Sequence, residues 1–236
     1  MNKLAIAFAI ACLATVAHAA DPYTFRDYKL GMTLDEFKAL PYPELNEEIT
    51  KKSYGSELDP KTIRLVCSDQ ENEPYGMKVY GHGLAPTGIR CMWRHSEYTS
   101  HLQGLSSGYK NPAGGAWISV GAINSQEVEF DFGPDDAGVQ RLYRIHTTGP
   151  NSRFDAELEA FTTKWGKPTS VTQEDLQNGM GNHFASGHVK WQNGVSTIEL
   201  IQRVGDINTM SISYYHDTLF TQAAARAKAQ EPPPKL

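Results

Sequence analysis

The sequence predicts an α+β protein made of two halves, each of which begins with a helix and continues into an antiparallel meander. Three observations predict this class. A capped helix start at residues 31–37 precedes a series of short alternating strands. A helical pattern follows Pro150, and an Asn193-Gly194 turn joins two further strands. The repeated order indicates a tandem duplication, although no residue pattern aligns the two halves.

The N-terminus has the features of an export signal. Lys3 gives a positive start, residues 4–16 are apolar, and Ala17-His18-Ala19 forms a cleavage site of small residues. We therefore expect residues 1–19 to be removed and the mature protein to reside in the periplasm or outside the cell. The apolar stretch is shorter than the roughly 20 residues of a membrane span, and no later stretch approaches that length, so no transmembrane segment is predicted.

Charge and length limit the remaining possibilities. The 236 residues include 22 basic and 27 acidic side chains, which gives a formal net charge of −5. Basic residues are scattered, and this disfavours nucleic acid or an anionic membrane as a partner. We divide the mature chain into an N-terminal half (20–148), a C-terminal half (149–216), and a terminal helix with a proline-rich tail (217–236).

The N-terminal half begins with a short helix. Thr33 is placed to cap it, Glu36 can complete a capping box, and Pro41 prevents continuation. Alternating apolar residues between positions 62 and 147 predict strands with one covered face. The stretch 96–116 lacks this alternation and is rich in glycine, so it is predicted to be an exposed loop.

The C-terminal half begins with a second helix. Ser152 is the expected cap, and Gly166 ends the helix. Four apolar residues share its buried face: Phe154, Leu158, Phe161 and Trp165.

Asn193-Gly194 predicts a two-residue hairpin loop that pairs Trp191 with Ser196 and Val189 with Ile198. This register places Val189, Trp191, Ile198 and Leu200 on one face. A third strand follows around residues 210–214, and then a terminal helix from 217 to 230.

The cysteines predict one disulfide. Export leaves Cys67 and Cys91 in the mature chain, and an even count in an oxidising compartment favours a structural bridge between them. A redox-active pair and a thiolate metal site are alternatives, but neither has a C-x-x-C spacing. Cys12 leaves lipidation open, although cleavage after Ala19 would discard it.

Several motifs resemble catalytic or cofactor sites without the required context. Residues 104–108 match G-x-S-x-G, but no strand leads into them and no helix follows. His95, Glu97 and His101 lie close in sequence, yet their spacing matches no established metal-ligand helix. His183 and His188 have no defining spacing. Gly-rich runs at 81–86 and 179–184 fail as dinucleotide fingerprints. We therefore predict no catalytic residue, no metal site and no cofactor.

Two surfaces are candidates for contact with a partner. Glu127, Glu129 and Asp131 form an acidic row that alternates with apolar residues, and we interpret it as a solvated strand face, with a docking strip for a basic partner as the alternative. A second group flanks the 96–116 stretch and combines arginine with aromatic residues, which dominate protein-contact hot spots. Its members are Trp93, Arg94, Tyr98 and Tyr109.

Gly31-Met32-Thr33-Leu34-Asp35-Glu36-Phe37 and the helix-plus-meander layout resemble two groups of small exported bacterial domains, the outer-membrane-assembly accessory lipoproteins and the tandem-repeat β-lactamase inhibitor proteins. The resemblance implies a non-enzymatic binding or adaptor protein of the bacterial envelope, with a protein or an envelope component as partner. Two alternatives stay open. One is a hydrolase of envelope polymers that uses His95 and a carboxylate, and the other is an inhibitor that inserts its 96–116 loop into an enzyme.

Overall fold

A computed structural model describes residues 20–43, 56–57, 63–71, 73, 77–85, 87–95, 98–100, 109–111, 114–116, 118–125 and 127–229. The export signal, the G-x-S-x-G motif, Glu97, His101 and the proline-rich tail lie outside these residues. Within them, no helix combines the length and the apolar character needed to cross a membrane.

The chain begins with strands β1 (Thr24–Phe25) and β2 (Tyr28–Lys29) and then helix α1 (Leu34–Lys38). The predicted capping box is confirmed. Thr33 Oγ1 accepts a hydrogen bond from the Glu36 backbone N–H at 3.2 Å, and Glu36 Oε2 accepts one from the Thr33 N–H at 2.7 Å. The helix buries Leu34 and Phe37 against the core.

The next eight strands in the described part of the N-terminal half follow α1: β3 (Ser56–Glu57), β4 (Ile63–Cys67), β5 (Ile89–His95), β6 (Tyr98–Ser100), β7 (Tyr109–Asn111), β8 (Gly114–Gly115), β9 (Ile118–Val120) and β10 (Ile123–Ser125). The prediction of a loop over 96–116 is wrong for part of that stretch, because β6, β7 and β8 lie within it. Strand β6 pairs with β3 and β7, and β8 pairs with β5. These pairings use backbone groups of short strands, which need no apolar alternation.

The remaining elements are β11 (Glu129–Pro134), β12 (Gln140–Pro150), helix α2 (Phe154–Trp165), β13 (Ser170–Gln177), β14 (His183–Gln192), β15 (Ser196–Ile201), β16 (Thr209–His216) and helix α3 (Asp217–Ala229). The predicted cap of α2 is wrong. Ser152 lies in a 3₁₀ turn (Asn151–Arg153) that leads into the helix, and Arg153 occupies the cap position without a side-chain bond. Gly166 ends the helix with φ +80°, a conformation that favours glycine.

A nine-stranded antiparallel sheet contains strands from both sides of residue 148. Its order is β13-β14-β15-β16-β12-β11-β5-β4, and β8 pairs with another part of β5. Strand β12 crosses the boundary that the sequence analysis places between the halves, and it pairs with β11 on one side and β16 on the other. The large sheet and few helices confirm the α+β class.

The hairpin of β14 and β15 has a different register from the predicted one. Trp191 pairs with Ile198 and Val189 with Leu200, so the loop is two residues longer than a two-residue turn. Asn193 explains the difference, because its side-chain oxygen accepts bonds from the backbone N–H groups of Val195 and Ser196. A shift of two residues preserves the face of every side chain. The prediction of the buried face is therefore confirmed for all four residues: Val189, Trp191, Ile198 and Leu200.

The disulfide between Cys67 and Cys91 is confirmed. The two cysteines lie directly opposite each other on neighbouring strands β4 and β5. Both side chains belong to the main core, which also holds the buried residues of α1 and α2. The bridge thus fastens β4, an edge strand of the sheet, to the core.

Candidate functional site

The side of the main sheet that faces away from the core carries a continuous set of polar side chains, which we call the polar face. Side chains alternate between the two sides of each strand, and the core residues of β11, β12, β14, β15 and β16 fix which side is which. The polar face has these members: Glu129, Asp131, Arg144, His146, His188, Lys190, Glu199, Ser213 and Tyr215.

Asp131 lies at one end of the polar face and is fully buried, with 0% of its surface exposed. Its carboxylate accepts hydrogen bonds from Arg90 Nε at 2.7 Å and from Arg144 Nε at 2.8 Å. The interpretation of the acidic row as a solvated strand face is therefore wrong for Asp131, and Glu127 alone of the three is exposed. The two strands that neighbour β11, β5 and β12, each supply an arginine that pairs with the Asp131 carboxylate and covers it.

Glu129 extends this ion-pair cluster toward the open part of the face. Arg90 Nη1 lies 3.0 Å from one carboxylate oxygen, and Arg144 Nη2 lies 3.6 Å from the other. Burial raises the pKa of Glu129 and Asp131 adds to that rise, while the two arginines oppose it. The cluster holds two cations and two carboxylates, so its charges balance.

His146 and Ser213 form the centre of the polar face. His146 Nδ1 lies 2.8 Å from Ser213 Oγ across the β12–β16 pair. Burial and the nearby Arg144 lower the pKa of His146 to about 4, so its ring is neutral at physiological pH. Although a neutral imidazole beside a hydroxyl is the composition of a nucleophile and its base, Ser213 is only 3% exposed. The hydroxyl therefore has no open approach for a substrate, and the pair orders the face instead.

Glu199 organises the other end of the polar face. Its carboxylate is contacted by His188 Nε2 at 2.7 Å and Lys190 Nζ at 3.0 Å, and Tyr215 donates its hydroxyl at 3.3 Å. Burial alone would raise the pKa of Glu199, but the hydrogen bonds from Lys190 and His188 outweigh it and lower that pKa. The three donors hold the carboxylate in one position.

Helix α3 borders the polar face at one end. Phe220 on α3 packs on Tyr215 and Tyr143, with ring centroids 4.5 and 6.2 Å apart. The helix contacts β11, β12 and β16. On β14 the side chain of Lys190 is 35% exposed. The polar face is thus partly accessible along β14 and β15, where the side chains of His188, Lys190 and Glu199 are 22, 35 and 17% exposed.

A cavity of about 480 Å³ lies between α3 and the turn that joins β11 to β12. The carboxylate of Asp135, which lines this cavity, is used within the protein: it accepts hydrogen bonds from the backbone N–H groups of Ala137 and Val139 and from Arg141 Nε at 2.6 Å. Asp136 similarly accepts a bond from Gln222. The Asp135 bonds order the turn, and the Asp136–Gln222 bond links it to the helix.

The structure places two of the four sequence-predicted contact residues, Trp93 and Arg94, on opposite sides of the sheet. Trp93 is 7% exposed and lies in the core, where its indole N–H donates to the Tyr28 hydroxyl at 3.0 Å. Arg94 is partly buried and, as the next residue of β5, points to the opposite side of the sheet. Tyr98 and Tyr109 lie on β6 and β7, opposite Asn111 and Ser100. Trp93 and Arg94 therefore cannot belong to one contact surface.

The histidines that the sequence analysis considered as metal ligands do not converge among the described residues. His95 is buried on the core side of β5, and burial and Arg94 lower its pKa. His183 contacts Asp175 at 2.7 Å, whereas His188 contacts Glu199 on the other side of β14. Across the described part of the chain, no group of three or more His, Cys, Asp or Glu residues is arranged to hold a metal ion.

Sequence reasoning missed Arg90, Arg144, His146, Ser213 and Glu199. The available signal was alternation, since each of these residues lies next to an apolar residue of the same strand. Their mutual contacts depend on the order β5-β11-β12-β16-β15, which joins segments far apart in sequence. The sequence alone does not specify that order.

The chain matches no protein-family model, and no curated protein or solved structure is detectably similar to it. The resemblance to exported helix-plus-meander domains therefore stays a prediction.

Proposed function

We propose that this chain is an exported, non-enzymatic binding or adaptor protein of the bacterial envelope, and that its polar face is the contact surface for a protein partner. One observation carries the proposal. Charged and aromatic side chains from β11 to β14 are held in place by hydrogen bonds and ion pairs, while the side chains of His188, Lys190 and Glu199 on β14 and β15 remain partly exposed. A surface ordered before binding loses less side-chain entropy when a partner docks.

The size and composition of the polar face fit a protein contact. Five adjacent strands contribute to it, and at about 4.8 Å between neighbours they span roughly 19 Å. A standard interface covers about 800 Å² on each partner, or a patch roughly 28 Å across, so the width of the polar face is of the same order. Arg144 and Tyr215 belong to the residue types that most often dominate binding energy. Because the cations and carboxylates are paired with one another, shape and hydrogen bonding, rather than net charge, would select the partner.

Two features support an extracytoplasmic location, in the periplasm or outside the cell. The Cys67–Cys91 disulfide is of the kind that persists in oxidising compartments. The N-terminal sequence has the charge, apolar stretch and small-residue site of an export signal.

The test is crosslinking followed by affinity purification of the tagged mature protein from envelope extracts of its own cells, with mass spectrometry of bound proteins. Thr148 lies on the polar side of β12, opposite Ser211, and Thr148→Arg would place a bulky cation there. Thr163 is exposed on α2, on the other side of the sheet, so Thr163→Arg is a matched control. We expect a stoichiometric partner with the wild type and Thr163→Arg, and at least tenfold less with Thr148→Arg.

Other outcomes would contradict the proposal. Equal recovery with both variants would place the contact away from the polar face. Loss of the partner on deletion of residues 101–108, with retention in Thr148→Arg, would favour the inhibitor alternative. Enrichment on isolated cell-wall polymer without a protein partner would favour the hydrolase.

A further inference from the structure

Strand β13 forms one edge of the main sheet and is exposed along most of its length. Its eight residues pair with β14 in a continuous register without a bulge. Six of the eight side chains are exposed, including Val171 at the start of the strand. In the described parts of the chain, no strand pairs with its outer side.

The hydrogen bonds of β14 show which backbone groups of β13 point outward. Gly187 N–H donates to the Gln202 side chain, and its C=O accepts from the Gln202 N–H at 2.8 Å, so the backbone groups of Gly187 point toward β15. Successive residues of a strand alternate in this respect. The backbone N–H and C=O groups of His188 therefore point toward β13, where His188 pairs with Thr172.

The same alternation applies along β13. Because Thr172 and Glu174 direct their N–H and C=O groups toward β14, Val171, Gln173 and Asp175 direct theirs away from the sheet. These three residues offer a row of donors and acceptors to a further strand. Lysine, proline and bulges usually protect such an edge, but residues 170–177 contain no Lys, Arg or Pro.

The charge of the edge indicates which segment it accepts. Glu174 and Asp175 are consecutive, so they lie on opposite faces of the strand. Asp175 contacts His183 at 2.7 Å, yet its side chain remains 67% exposed. An added strand that places a basic residue beside each carboxylate would gain an opposite-charge pair on both faces.

The same carboxylates disfavour a second copy of this chain. The antiparallel two-fold pairing that aligns Val171, Gln173 and Asp175 with the same three residues of a second copy is centred on Gln173. It would place Glu174 opposite Thr172 of the other copy and diagonal to the other Glu174, where like charges repel. A basic segment meets no such repulsion.

We propose that β13 binds an extended segment of a partner protein as an added strand, and that this segment carries Lys or Arg at two successive positions. The backbone groups of Val171, Gln173 and Asp175 supply the hydrogen bonds. Glu174 and Asp175 supply the selectivity. This site lies on the edge of the sheet and is independent of the polar face.

The test measures binding of fluorescent eight-residue peptides to the full mature chain by anisotropy. One peptide alternates threonine and valine around a central Lys-Arg, and its counterpart carries Glu-Asp at the same positions. We expect the basic peptide to bind at least tenfold more tightly, with a preference that weakens in high salt. Equal binding of the two peptides would overturn the proposal.

Two pairs of variants separate backbone pairing from charge. Gln173→Pro removes an outward N–H without removing a bond to β14, which an edge strand tolerates, and Gln173→Ala is its control. We expect at least tenfold weaker peptide binding for Gln173→Pro alone, with an unchanged melting temperature. The double variant Glu174→Lys/Asp175→Lys should reverse the preference, and an unchanged preference would refute the role of charge. A wild-type dimer in solution that Gln173→Pro converts to a monomer would assign the edge to a second copy and overturn the proposal.

Discussion

At the scale of single residues, the charged groups that matter are those the sheet has buried. Asp131 accepts hydrogen bonds from two arginines and is closed to solvent. Removal of a buried partner leaves the opposite charges unpaired, and this costs more than the pair itself contributes. Asp131 therefore supplies the shorter contacts of the ion-pair cluster, while Glu129 lies 3.0 Å from Arg90 and 3.6 Å from Arg144.

We predict that Asp131→Ala lowers the free energy of unfolding by about 3 kcal/mol, because Arg90 and Arg144 would remain partly buried with Glu129 as their one remaining partner in the cluster. Urea unfolding followed by circular dichroism measures the change. Glu127→Ala is the matched control on the same segment, and because Glu127 is exposed, its effect should stay below about 0.5 kcal/mol. Similar losses in the two variants would show that the cluster contributes no specific stability.

Glu157 on α2 is a buried carboxyl that the sequence analysis did not single out. Its Oε1 accepts the Ala122 N–H at 2.8 Å, while its Oε2 is buried without a hydrogen-bond partner among the described residues. Burial raises the pKa of Glu157 to about 7, although the N–H groups of Ala122 and Ile123 oppose the shift. An unpartnered buried oxygen is the position at which a carboxyl holds its proton.

The raised pKa predicts a pH dependence of stability. Between about pH 4.5, the ordinary value for an unfolded glutamate, and pH 7, the folded state binds more protons than the unfolded state, so stability falls as pH rises. Relative to Glu157→Gln, which cannot ionise, the wild type should lose about 2 to 3 kcal/mol across this window. Urea unfolding of both proteins at pH 4.5 and 7.5 measures the difference. Parallel pH profiles would mean that Glu157 is ionised in the folded protein.

At the scale of elements, helix caps and the buried faces of strands were predictable from neighbouring residues, whereas strand register and strand pairing were not. The capping box of α1 and the faces of the 183–201 hairpin follow from neighbouring residues, and both are confirmed. The register of that hairpin was wrong because Asn193 adds bonds that widen the loop. The short strands β6, β7 and β8 were missed because they lack apolar alternation: β6 and β7 pair with each other, and β8 pairs with β5.

The disulfide supports one such element, the edge strand β4. Cys67 and Cys91 are 24 residues apart in sequence, and in the chain-entropy model a loop of this size stabilises the folded state by about 3.5 kcal/mol. We predict that Cys67→Ser/Cys91→Ser lowers the free energy of unfolding by this amount while the native circular dichroism spectrum is retained. Wild type measured with a reducing agent should match the variant. A loss below about 1 kcal/mol in both would show that β4 needs no fastening.

At the scale of the whole molecule, the polar face exists because strands distant in sequence are adjacent in one sheet. The acidic row could be identified from alternation, but its burial depends on Arg90 and Arg144 arriving from β5 and β12. Likewise, His146 meets Ser213 only because β12 pairs with β16. Contacts of this kind depend on strand order, which alternation within a strand does not encode.

The continuous sheet predicts how the molecule unfolds. Strand β12 pairs with β16 over seven residue pairs, from Arg144–Tyr215 to Pro150–Thr209, and one core contains Phe130 together with Trp191. A cut at residue 148 would divide β12, remove β16 from its neighbour and expose that core. We therefore predict one cooperative transition, with coincident curves from tryptophan fluorescence and circular dichroism and a calorimetric enthalpy equal to the van't Hoff enthalpy. Residues 20–148 expressed alone should lack a cooperative transition. Two separate transitions in the mature chain, or a folded 20–148 fragment, would instead show that the two sequence-predicted halves are independent folding units joined through β12.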